Sequence, residues 1–180
     1  MALPPNTSDT SSKQASSGWQ LALQRATATE EGSIYLGDVE SVRGLVAGFV
    51  AGICDRSDKA DAGTMPAEEA GAWVKSECER LGTLFTSDTP EARAMGEWNT
   101  GGGLRRYLER EIGHHLADPG SMSDAEVVAS AFAMLAHSVY EVLDDAAAGS
   151  DSDDAVLSLN ALADDWAKLM LGLPREDGAE

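Results

Sequence analysis

From Glu111 to Ala167 the chain has neither lysine nor arginine. Those 57 residues hold 12 carboxylates. Lysine is scarce throughout, at Lys13, Lys59, Lys75 and Lys168 only, and the formal net charge is −18. The imbalance is uneven: residues 91–180 carry 18 acids against 6 bases. Such a negative field repels nucleic acid and anionic membrane, and it attracts basic partners or cations. The same composition also suits a high-salt cytoplasm or a solubility requirement with no binding target.

Cysteine is nearly absent. Cys54 and Cys78 do not make a disulfide framework and fit a reducing compartment, where small thiols pack as hydrophobes. Long hydrophobic runs are missing too. Gly44–Cys54 and Val127–Tyr140, the longest uncharged apolar-rich stretches, fall short of the ~20 residues of a membrane-spanning helix. Met1 to Ser17 has no apolar core and no basic start, so no signal peptide is expected there. The chain therefore reads as soluble and cytoplasmic, without membrane association.

Chemical motifs are sparse as well. There is no Gly-x-Ser-x-Gly elbow, and neither cysteine has a histidine nearby in sequence, so nucleophilic hydrolysis has no support. Tyr140-x-x-x-Asp144 resembles the export tag of type VII secretion substrates, but the Trp-x-Gly turn of those hairpins does not occur.

What is present is a helical pattern. Apolar residues make up 43% of 180 residues, enough chain and enough hydrophobe for one domain with a core. Residues 1–17 are rich in Ser, Thr and Pro and read as a disordered tail. Gly18 to Glu31 fits either a strand or a helix, with helix preferred. Asp38 can cap a helix with the stripe Val39, Val42, Leu45, Val46, Phe49, Val50 and Ile53, followed by a polar loop from Asp55 to Gly63. Thr64 and Pro66 start the next helix, whose stripe includes Ala70, Trp73, Val74, Cys78, Leu81 and Phe85. A short helix after Asp88 carries Met95 and Trp98. Another runs from about Leu104 to Ala117 and ends at Asp118-Pro119-Gly120.

Ser123-Asp124-Ala125-Glu126 has the form of a capping box. The helix after it, with no charge from Val127 to Tyr140, is expected to be central and buried nearly all round. A last helix packs Val156, Leu159, Leu162, Trp166, Leu169 and Met170 and stops at Pro174, with residues 174–180 frayed. The expectation is an all-α fold: a single-domain bundle of five to six helices over residues 18–173, with its buried central helix near 124–147.

Four groups of residues are candidate sites. Asp144, Asp145, Asp151, Asp153, Asp154, Asp164 and Asp165 form an acidic surface for a basic protein partner; mimicry of nucleic acid is a special case. Gly44, Gly48 and Gly52 share a helix face, and each costs about 1 kcal/mol of helix propensity relative to alanine. Close approach by another helix offsets that cost, either within the fold or in a homodimer. Gly101, Gly102 and Gly103 with Arg105 and Arg106 could hold an anion at a helix start, or be a flexible joint with Arg105–Glu109 as a surface pair. No phosphate-loop or dinucleotide pattern is present.

The fourth group is Glu111, His115, His137 and Glu141. Glu111 and His115 share the expected buried stripe of Leu104 and Leu108, and His137 and Glu141 are four apart. On facing helices they could bind zinc or iron, which makes a metal-dependent helical enzyme the alternative function. Only one Glu-x-x-His pair exists, where di-iron bundles need two. Otherwise Glu and His form ion pairs and His137 is a hydrogen-bonded core histidine, and no cofactor is needed. The leading expectation is a non-enzymatic acidic interaction protein: a regulator, inhibitor or assembly component.

Overall fold

The computed structural model describes residues 39–86, 103–149 and 151–171, and all the regular structure in them is helical. Five α-helices follow in order: α1 Val39–Asp61, α2 Ala67–Thr86, α3 Gly103–Ile112, α4 Asp124–Ala147 and α5 Ser152–Met170. Two short 3-10 turns, Gly113–His115 and Pro119–Ser121, link α3 to α4. The fold is an all-α bundle. The tail at 1–17, the ambiguous segment 18–31, the cap at Asp38, the short helix with Met95 and Trp98, and the end at 174–180 lie outside the described residues.

The helices run further, or stop sooner, than the sequence suggested, for local reasons. α1 continues to Asp61 through the expected polar loop. Lys59 pairs with Asp55 at 2.7 Å one turn back. Gly63 ends the helix with a positive φ of 70°. Its N–H bonds Ala60 O and the Thr64 N–H bonds Lys59 O, the double bond pattern of a Schellman cap. Thr64 therefore closes α1 rather than opening α2, and its hydroxyl also donates to Lys59 O. In α3 the buried stripe is Leu104, Leu108 and Ile112, and the α-helix ends before Gly113. The helix expected to reach Ala117 thus leaves His115 in an exposed 3-10 turn.

The core is centred on Phe132. Its ring meets Phe49 edge-on at 5.4 Å and stacks on Phe85 at 5.7 Å. All three rings are buried. Two glycines allow close helix approach around this cluster. At Gly52, a Cβ would sit 2.5 Å from the indole of Trp73, which stacks on Phe49 and carries the Arg56 guanidinium 3.6 Å from its ring centre. At Gly82, a Cβ would run into the Ala125 carbonyl of α4 and lie 3.1 Å from the Ala129 methyl.

α4 touches all four other helices and packs most closely on α2. Its capping box forms as expected: Ser123 N–H donates to Glu126 Oε2 at 2.7 Å, and Glu126 N–H to Ser123 Oγ at 3.2 Å. Hydrogen bonds from the Ser123 backbone N–H, and then from its side chain, hold the Glu126 carboxyl below its ordinary pKa. The expected burial all round does not form. Val127, Val128, Ala131, Phe132, Leu135, Ala136 and Val139 are buried, whereas Ala133 and His137 face outward, exposed. Between Val127 and Tyr140 much of the outer face is Ala and Ser, which are too small to require covering, with the polar ring of His137 among them. By length and composition alone α4 would suffice to cross a membrane, but its large apolar side chains pack on the other helices.

α5 lies against α1 and α4. Ala155, Ala163 and Ala167 join Leu159, Trp166, Leu169 and Met170 in the core, while Val156 and Leu162 are only half-buried. Leu157 is exposed at 67%.

Candidate interaction surface

The acids concentrate where α4 turns into α5. Asp144 and Asp145 occupy the last turn of α4, both exposed, and no basic residue shares that turn. A helix C-terminus carries a partial negative charge, so two carboxylates there are misplaced for helix stability. Gly149, with a φ of 112°, reverses the chain. Asp151 then caps α5, accepting a 3.0 Å bond from Asp153 N–H. Asp153 and Asp154 are exposed in the first turn of α5, where the helix dipole favours them. The acids on the α5 side therefore serve the fold, and the pair on the α4 side works against it.

The other two predicted acids lie further along α5. Asp164 pairs with Lys168 at 2.9 Å and with Arg43 of α1 at 3.5 Å. Asp165 is exposed.

The glycine row divides. Gly52 is filled by Trp73 of the same chain, whereas a Cβ at Gly44 or Gly48 would meet nothing within 4 Å among the described residues beyond its own helix backbone. Of the predicted anion site, Gly101 and Gly102 lie outside the described residues and Gly103 begins α3. Arg105 is engaged three ways: Nε to Glu109 at 2.9 Å, one terminal nitrogen to Asp124 at 2.8 Å, and the other to Pro119 O at 2.6 Å. The bonds to Asp124 and Glu109 push its pKa above the usual value. This guanidinium pins the Pro119–Ser121 turn and the start of α4 to α3. Arg106 is exposed.

Glu111, His115, His137 and Glu141 do not assemble. Glu111 pairs with Arg110 at 3.0 Å. His115 lies against His114, ring centres 3.9 Å apart and planes tilted by 46°. His137 contacts Glu141 at 3.4 Å on the outer face of α4, with the two side chains 77% and 66% exposed, so His137 is not a core histidine. Among the described residues no three His, Cys, Asp or Glu side chains lie together as a metal-ligand group.

One feature was not anticipated from the sequence. Two hollows flank the exposed ridge of α4 formed by Ser130, Ala133 and His137. The first, about 630 Å³, lies towards α2 and is walled by Val74, Cys78 and Tyr140. The second, about 610 Å³, lies towards the α3–α4 connection and is walled by His115, Leu116 and Met134. Met122 borders both. The signal in the sequence was the run of Ala and Ser between the large residues of Val127–Tyr140, which reads equally well as tight core packing. Burial, then the charge of Glu77, pushes the Cys78 thiol up to about 11. Comparison with family models, with curated proteins and with solved structures finds no match.

Proposed function

We propose that this chain is a non-enzymatic helical interaction module whose acidic C-terminal half engages a basic protein partner, as a regulator, inhibitor or assembly component. The observation that carries the reading is Asp144–Asp145. Two exposed carboxylates sit at the negative end of a helix with no base in that turn, and a second cluster, Asp151, Asp153 and Asp154, follows at the start of the next helix. Sites that break a local rule without local compensation are where function is expected. An acidic patch of this kind raises the association rate and selects partners by charge. Mimicry of nucleic-acid phosphates is one form such binding takes.

The test uses immobilised polylysine as the basic probe and reads how binding declines with salt. Asp144→Asn, Asp145→Asn and Asp154→Asn in one variant should flatten the salt dependence. A variant with the same charge change elsewhere (Asp61→Asn, Glu68→Gln, Glu69→Gln) should flatten it less. Equal effects would reduce the reading to net charge alone.

A further inference from the structure

We propose that the saddle over the outer face of α4 is the docking site for an amphipathic helix of a basic partner. This rests on the reading above and names the element that the partner presents.

The shape points to a helix. The ridge of Ser130, Ala133 and His137 is low, because two of its three side chains are small, and it runs between two hollows of similar size. An incoming helix presents parallel rows of side chains with a groove between them. The α4 ridge fits that groove while one row enters each hollow. From Glu126 to Tyr140 the saddle follows about 20 Å of helix, roughly four turns. No strand edge exists among the described residues for an extended peptide to join. Val74, Leu116 and Met134 supply apolar walls, and Met122, bordering both hollows, is a side chain that adapts to different contacts.

The charge points to a basic helix. Glu79 and Glu126 are on the rim, and among the described residues Lys75 is the one lysine or arginine lining either hollow. Glu141 lies one turn beyond His137 on the same helix, and Asp144 one turn beyond Tyr140, so the ridge leads directly into the acidic turn. A helix with an apolar stripe and flanking Lys and Arg would bury the stripe in the hollows and set its charges against Glu79, Glu126, Glu141 and Asp144. This is the helix-in-groove mode of recognition.

The experiment titrates the full chain with a fluorescent peptide about 18 residues long. The peptide is made of Leu and Lys, with Leu at helical spacing i, i+3, i+4 and i+7. A scrambled peptide of identical composition is the control, both in about 0.15 M salt. The patterned peptide should bind about tenfold more tightly than the scrambled one. Ala133→Trp, which fills the saddle, and Ala133→Arg, which adds a like charge, should each bring it down to the scrambled level, with helical content unchanged. If both variants bind the patterned peptide as wild type does, the saddle is not the site, and any salt-sensitive binding of both peptides still supports the acidic reading. If neither peptide binds, both readings fall. If the protein is a dimer that Ala133→Arg dissociates, the saddle is a self-association face and the proposal is overturned.

Discussion

Gly48→Ala and Gly82→Ala should move stability in opposite directions, although both glycines lie inside helices. An alanine in a helix interior is favoured over glycine by about 1 kcal/mol. At Gly48 nothing among the described residues opposes that gain, since outside its own helix backbone no atom of theirs lies within 4 Å of the added methyl. At Gly82 the methyl meets the Ala125 carbonyl and lies 3.1 Å from the Ala129 methyl. The obstruction is backbone, so α2 and α4 must separate. Overpacking costs about 1–3 kcal/mol, and a backbone obstruction puts this site at about 2–3, which outweighs the propensity gain and leaves a net loss of about 1–2 kcal/mol. Gly52→Ala is intermediate, because the indole of Trp73 can shift where a carbonyl cannot, at the expense of its contacts with Phe49 and Arg56. Urea unfolding followed by far-ultraviolet circular dichroism reads all three at constant m-value. A neutral Gly82→Ala would refute the close approach of α2 to α4. A destabilised Gly48→Ala whose midpoint depends on protein concentration would show that the open glycine face is covered by a second copy.

Three other outcomes are expected. Asp144→Asn with Asp145→Asn should raise the urea midpoint while weakening polylysine binding, since the carboxylates oppose the α4 dipole; a lowered midpoint would mean that they stabilise the fold. Arg105→Ala should lower the midpoint more than Lys59→Ala, because Arg105 joins three segments whereas Lys59 pairs with Asp55 one turn back in its own helix; Arg105→Lys should not restore it, since one ammonium does not reproduce the fork. Burial raises Cys54 from 9.0 to about 12 and Cys78 to about 11. A buried thiol with a raised pKa gives stability that is present below pH 9 and lost as pH rises towards those values, because the unfolded chain ionises first. Tyr140, raised chiefly by burial, adds in the same direction from pH 10. The urea midpoint should therefore fall between pH 8 and pH 10.5, by less in a Cys54→Ala, Cys78→Ala protein; an equal fall in both would assign the effect to other groups.

Much of the fold was legible because it is local. Apolar spacing located all five helices, and the capping box at Ser123 and Glu126 forms as its spacing required. Local rules misled at helix ends and in helix rotation. Gly63 ends α1 two residues past Asp61, and in α3 it is Ile112, not Glu111, that completes the buried stripe before the 3-10 turn that carries His115. The candidate acids were legible as charges but not as roles: Asp151 is a cap, Asp164 an ion-pair partner, and Asp144 and Asp145 sit against a dipole.

The amino-acid sequence by itself determined that this chain is acidic, helical and provided with enough apolar spacing for a core, because charge and periodicity are properties of residues and their order. Only the tertiary structure decided that Ala133 faces outward while Ala131 and Ala136 are buried, that Gly52 is filled and Gly48 open, and that two hollows flank one ridge of α4. The physical reason is size. Alanine and glycine bury too little area to choose a face, so the large side chains, with Phe132 at their centre, set each helix's rotation, and the small residues fall wherever that leaves them.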